Sequence, residues 1–264
     1  MDQVVAALRG VRAIARVTFF EILRDKVLSG AIVLSGVLLF LGLLVSRASF
    51  IRPDRILLDF GLLAFALSGG FLGVLSGAVA LAREFERRTI FIALARPISR
   101  SQFLCGKYFG VALVLLLNSL VLALVFVGVL KLLAPDSALV GRTLVQALGL
   151  LAVQALFLAA ISLFFSTFST VSLSAVMAIG LYLVGVNVSQ IRLLLVRMDE
   201  GSLRHFLEGL VSMLPNFEHF NVGLIASYGQ ELPAGFFAVS VSYAFAWIAG
   251  LLLLGGIFIE RKDA

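Results

Sequence analysis

Six long apolar runs punctuate the chain, at 27–45, 57–82, 109–133, 144–165, 171–188 and 235–259, with most charged residues gathered between them. A helix needs about 20 predominantly apolar residues to cross a bilayer. The pattern therefore predicts an all-α membrane protein with six transmembrane helices, forming one domain over 1–264. Evenly spaced alternating segments, the mark of an outer-membrane barrel, do not occur. Ahead of the first run, Val4, Leu8, Val11, Ala15 and Ile22 share one helical stripe, and Arg9, Arg12 and Arg16 share another. That predicts an interfacial amphipathic helix over 1–26, its apolar side toward acyl chains and its arginines toward headgroups or a cytoplasmic partner. In the long polar segment 190–234, Leu203, Phe206, Leu207, Leu210, Val211 and Leu214 follow helical spacing until Pro215. A second amphipathic helix is expected there.

Composition agrees with the pattern. Of 264 residues, 61% are hydrophobic and only 14% charged, and the mean hydropathy is +1.10. Soluble domains carry about 25% charged residues, so this chain has too little charge to cover a soluble surface. The net charge of +6 comes from basic residues flanking the apolar runs, which the positive-inside rule explains without a nucleic-acid partner. With the N-terminus inside, 13 of the 21 Lys and Arg fall on the inner side and eight on the outer. The first run is too long for a signal-peptide core and no cleavage site follows it. N-in and C-in is the predicted topology.

Inside the runs the informative residues are small or neutral. Gly69, Gly73 and Gly77 repeat a G-x-x-x-G spacing, as do Gly106 and Gly110, which predicts close helix packing. Asn118 and Gln154 are read as interhelical hydrogen-bonding residues. Asp59 lies at the outer end of the second run, and no ionisable group sits near any run's middle, which disfavours a self-sufficient secondary carrier. One cysteine (Cys105) and two histidines (His205, His219) cannot supply the four ligands of a structural zinc site. No phosphate-binding G-x-x-x-x-G-K-[ST] pattern occurs. Catalytic, metal and cofactor-binding residues are expected to be absent, and the histidines are read as loop surface residues.

The segment between the second and third runs carries the most specific pattern: Glu84, Phe85, Glu86, Arg87, Arg88, Thr89, Phe91, Leu94, then Arg96-Pro97-Ile98-Ser99-Arg100. Proline disfavours helix in the residue before it, so a short helix is expected to end at Arg96. Ser99 and Gln102 then form a capping box that starts a helix running into the third span. This segment, together with Gly106-Lys107, resembles the ABC-2 type permeases, the membrane subunits of ABC exporters whose ATPase is a separate chain. The Phe165–Thr170 loop and the Leu214–Asn221 stretch extend the resemblance. Arg87-Arg88 stands where many members have a glycine.

The resemblance implies a set of partners and roles. The segment from Glu84 to Arg100, with Pro97 within it, would be the coupling segment that docks on the ATPase, where ATP and Mg would be bound. A second permease copy, as a homodimer or heterodimer, would complete the transporter in the bacterial inner membrane among its lipids. Leu203, Phe206, Leu210, Leu214, Pro215, Asn216 and Phe217 would form an outer gate or a dock for an extracytoplasmic accessory protein. The expected function is export of a hydrophobic or amphipathic substrate. The alternative is force transmission from the ATPase to an extracytoplasmic protein without solute transport.

Overall fold

The computed structural model describes residues 2–49, 52–86, 99–133, 140–197 and 201–261, and among these it is helical with no strand. In chain order the helices are α1 (Asp2–Leu23), α2 (Lys26–Ala48), α3 (Pro53–Glu86), α4 (Arg100–Leu133), α5 (Arg142–Ser166) and α6 (Val171–Gly185). Then come α7 (Val188–Val196), α8 (Ser202–Ser212), a 3₁₀ turn (Glu218–Phe220), α9 (Gly223–Ser227) and α10 (Phe236–Arg261). Five of them, α2, α3, α4, α5 and α10, are long and apolar enough to cross a membrane. The sixth candidate span is the pair α6 and α7, bent by 54°.

That bend corrects the uninterrupted fifth span expected at 171–188. No proline interrupts the helix. Instead the 215–217 backbone comes so close to Gly185 that a Cβ there would lie 2.6 Å from the Pro215 carbonyl oxygen. The Phe217 amide donates to the Gly185 carbonyl at 3.0 Å, taking up an acceptor freed at the helix end.

Helix α5 lies at the centre, packed by α3, α4, α6 and α10. Small residues set its distance from α3. A Cβ on Gly73 would lie 2.6 Å from the Ala155 oxygen, and one on Gly77 2.5 Å from the Ala159 oxygen. Gly69 faces the Ala155 methyl at 3.3 Å, and Ser162 Oγ donates to the Val74 carbonyl at 2.7 Å. The two helices run parallel in near backbone contact. This glycine face is therefore turned inward, against a neighbour in the same chain.

Helix α2 runs antiparallel to α3, tied by Ser68 Oγ to the Ala31 carbonyl (3.1 Å) and Ser46 Oγ to the Pro53 carbonyl (2.7 Å). Helix α1 departs from expectation. Its stripe of Ala15 and Ile22, with Thr18, is buried, and it packs along α4. From Val11 to Ile22 the stripe faces protein, because Gly106 and Gly110 let α1 approach until Cβ atoms there would lie 2.8 Å from Ile14 Cβ and 2.6 Å from Thr18 Cβ, whereas the side chains of Val4 and Leu8 lie outside the described residues. Arg9, Arg12 and Arg16 remain exposed.

Candidate functional site

At one end of the bundle the start of α4, the end of α5 and the end of α10 meet. Ser99 and Gln102 cap α4 reciprocally: the Ser99 amide donates to Gln102 Oε1 and the Gln102 amide to Ser99 Oγ, both at 3.3 Å. The next residue, Arg100, reaches α10 and donates from Nη1 to the Ile259 carbonyl at 2.8 Å. Gly255 on α10 allows Leu104 and Thr167 to approach, and Gly256 faces Ser101. Phe164, Phe165, Phe168 and Phe258 form an edge-packed ring cluster beneath this contact. Nearby, Lys107 is 3% exposed. Its ammonium lies 3.6 Å from the Glu21 carboxylate and 5.8 Å from the Phe103 ring centre, tying α1 to α4.

The segment 214–221 is wedged among helices α5, α6, α7 and α10. Phe217 and Phe220 are fully buried. Phe217 stacks on Phe157 of α5 with ring centres 4.8 Å apart and meets Tyr182 of α6 edge-on at 5.2 Å. The Asn216 amide donates to the Tyr243 hydroxyl of α10 at 2.8 Å. The Ser189 amide donates to Glu218 Oε1 at 2.7 Å, and the Ser189 hydroxyl donates to the other carboxylate oxygen. A carboxylate at the start of α7 satisfies free amides and suits the helix dipole.

Helix α8 divides its apolar residues between two surroundings. Val211 and Leu207 pack with Val188, Ile191 and Leu195 of α7. Leu203, Phe206, Leu210 and Met213 stay exposed. Its polar side is ordered by Arg204, whose Nε donates to Glu208 at 2.8 Å and holds that carboxyl below the usual carboxylate range.

One cavity, of about 290 Å³, opens among α3, α5, α6 and α9. Its polar lining comprises Asp59, Gln154, Tyr182 and Asn221. Gln154 is 4% exposed and donates from Nε2 to the Tyr182 hydroxyl at 3.1 Å. A second, apolar groove of about 280 Å³ separates α2 from α4, with Asn118 on its wall.

The ABC-2 family transporter protein model matches residues 2–264. The chain belongs to the ABC-2 transporter family. None of the curated proteins matches it. Family membership and the apolar helices make it a multi-pass membrane component of a transporter.

The residues singled out in the sequence of this ABC-2 protein do not come together at one place. Glu84 and Glu86, with Phe85 between them, form the last turn of α3. Arg87, Arg88, Thr89, Phe91, Leu94, Arg96 and Pro97 lie outside the described residues. The two glycine series sit on separate internal contacts, α3 with α5 and α1 with α4. Of the outer-loop residues, Leu203, Phe206 and Leu210 form an open surface, whereas Leu214 is half-buried and Pro215 and Phe217 are buried. The Phe217 ring is part of the core. His219 is also not a free loop residue, lying against Phe236 and Tyr243. Gln154 bonds across helices to Tyr182 as expected, while Asn118 lines a groove instead. The sequence reading missed the Asp59 cavity, Tyr243 and the Glu218–Ser189 contact. Asp59 and Gln154 stand out individually in the apolar runs, but only folding brings them to one cavity.

Proposed function

We propose that this chain is the permease subunit of an ABC exporter in the bacterial inner membrane, dimeric, N-in and C-in, and driven by a separate ATPase that binds ATP and Mg. The observation that carries this reading is the family match over residues 2–264. Helix geometry supports it. Helices α3 and α4 have 34 residues each, about 51 Å at 1.5 Å per residue, against a hydrocarbon core of about 30 Å. Upright, each would reach about 20 Å beyond the core. They bracket residues 87–98, so a partner pressing on Glu84–Arg100 would move both helices together. The transported substrate on this reading is hydrophobic or amphipathic.

Cysteine crosslinking along 84–96 to the co-expressed ATPase is the direct test. Crosslinks are expected throughout the segment. Crosslinks confined to residues after Ile259 would overturn the docking site. Reversing the charges of Arg87 and Arg88 should weaken ATPase binding or uncouple hydrolysis. Phe85→Ala and Leu94→Ala should be harsher, because apolar anchors dominate such interfaces.

A second reading assigns the ATPase work to an extracytoplasmic partner protein. The exposed Leu203, Phe206 and Leu210 surface of α8, continued by Met213 just beyond it, favours it. Substrate-stimulated ATP turnover in the reconstituted complex supports export, and turnover stimulated only by an added outer protein supports force transmission.

A further inference from the structure

We infer that the cavity among α3, α5, α6 and α9 binds the cationic headgroup of an amphiphile, with Asp59 as its counter-charge. As a substrate class for the transporter, this rests on the permease reading above.

Asp59 lies six residues past Pro53, the first residue of α3, or about 9 Å along the helix. Its side chain is exposed and forms part of the cavity lining. The Ser227 hydroxyl of α9 donates to it. No basic side chain lies within salt-bridge distance of it among the described residues. Arg55, one turn away, makes no salt bridge with it, and its guanidinium lies 4.6 Å from the ring centre of Tyr228, the residue after Ser227. The cavity lining therefore carries one carboxyl group that makes no salt bridge among the described residues.

The remaining polar lining adds two side-chain amides and a hydroxyl, groups that can accept as well as donate. Gln154 spends Nε2 on Tyr182, which leaves Oε1 without a hydrogen-bond partner among the described residues. Asn221 adds an amide at the mouth. A carboxylate with amide oxygens suits a positively charged donor, such as an ammonium or guanidinium. The apolar lining specifies the rest of the ligand. Leu63, Leu67 and Leu224 line the same cavity and are 45%, 47% and 73% exposed. A tail leaving the cavity would pass over these leucines into the hydrocarbon. At about 290 Å³ the space lies at the lower limit of small-ligand clefts, enough for a headgroup and its first methylenes.

Binding is measured on the purified full chain in maltoside micelles, whose headgroups are uncharged. The probes are spin-labelled sixteen-carbon amphiphiles with trimethylammonium, sulfate or uncharged headgroups. The ammonium probe should bind about tenfold tighter than either other probe, the scale of one charged hydrogen-bonding partner. Asp59→Asn keeps an oxygen for Ser227 and should erase that preference without changing binding of the uncharged probe. Equal affinity for the three headgroups, or a preference that survives Asp59→Asn, would overturn the proposal. If that variant fails to fold, the three-probe comparison on the unaltered chain decides. Displacement by a two-tailed amino-headgroup phospholipid would support the site with a bilayer lipid as its ligand, and resistance to it would support a single-chain solute. Binding needs no ATPase, so the two readings fail separately. A chain that discriminates headgroups but assembles with no ATPase keeps the site and loses the permease reading. An assembled complex without discrimination loses the site alone.

Discussion

At the scale of single residues, two kinds of contact fix the bundle: missing side chains that let backbones meet, and one aromatic ring that fills the gap behind α6. Gly73 is the clearest of the first. A Cβ there would lie 2.6 Å from the Ala155 carbonyl oxygen, and that oxygen cannot retreat without parting α3 from α5. Gly73→Ala should cost about 1–3 kcal/mol, as overpacking does, and Gly73→Leu more. Gly128 has open space around it, so Gly128→Ala should be neutral or slightly stabilising through helix propensity. Thermal unfolding of both variants in detergent checks the contrast, and equal midpoints would refute the close contact. Phe217 represents the second kind. Its ring is fully buried against Phe157 and Tyr182. Phe217→Ala should cost about 3–5 kcal/mol, the usual penalty for emptying an aromatic site, read from the same unfolding curves.

At the scale of elements, the α6–α7 break and the 214–221 segment depend on each other. Glu218 receives two hydrogen bonds from Ser189 at the start of α7. Glu218→Gln keeps only one acceptor oxygen and removes the charge. The exchange of amides in 188–191 should quicken by about three- to tenfold, matching a loss near 1 kcal/mol, while α5 stays protected. Hydrogen exchange by mass spectrometry measures this, and unchanged protection would mean that the break is held by Phe217 alone. Little of this pairing was legible in the sequence. The positions of the long apolar helices were, since each apolar run carries its own signal, and the Ser99–Gln102 cap was, since its partners are three residues apart. The break at Gly185 was not, because its cause is 30 residues away in the chain and no proline marks it. Nor could the α1 stripe reveal its neighbour. Lipid and a helix surface are equally apolar, so Ala15 and Ile22 read the same facing either. The cavity was hidden for a related reason: Asp59, Gln154, Tyr182 and Asn221 come from four parts of the chain.

At the scale of the whole molecule, the question is how many helices a push on residues 84–100 would move. The segment is framed by α3 and α4. Helix α4 is joined to α10 through Arg100 and Ile259 and through the close approach of Ser101 to Gly256. Helix α1 rides on α4 through Gly106, Gly110 and the Lys107–Glu21 pair. A rigid group containing α1, the start of α4 and the end of α10 should therefore move as one body. A disulfide can test that rigidity. A Cβ on Gly256 would lie 3.5 Å from Ser101 Cβ, at the short end of the usual 3.5–4.5 Å for disulfides. Ser101→Cys with Gly256→Cys, in a chain whose native thiol is removed by Cys105→Ser, should oxidise readily. Because the crosslink joins parts that already move together, the oxidised complex should keep its ATP turnover and its response to substrate. Turnover that falls on oxidation and returns with reductant would show instead that α4 and α10 separate during each cycle. The Arg100–Ile259 contact would then be a joint that opens rather than a clamp.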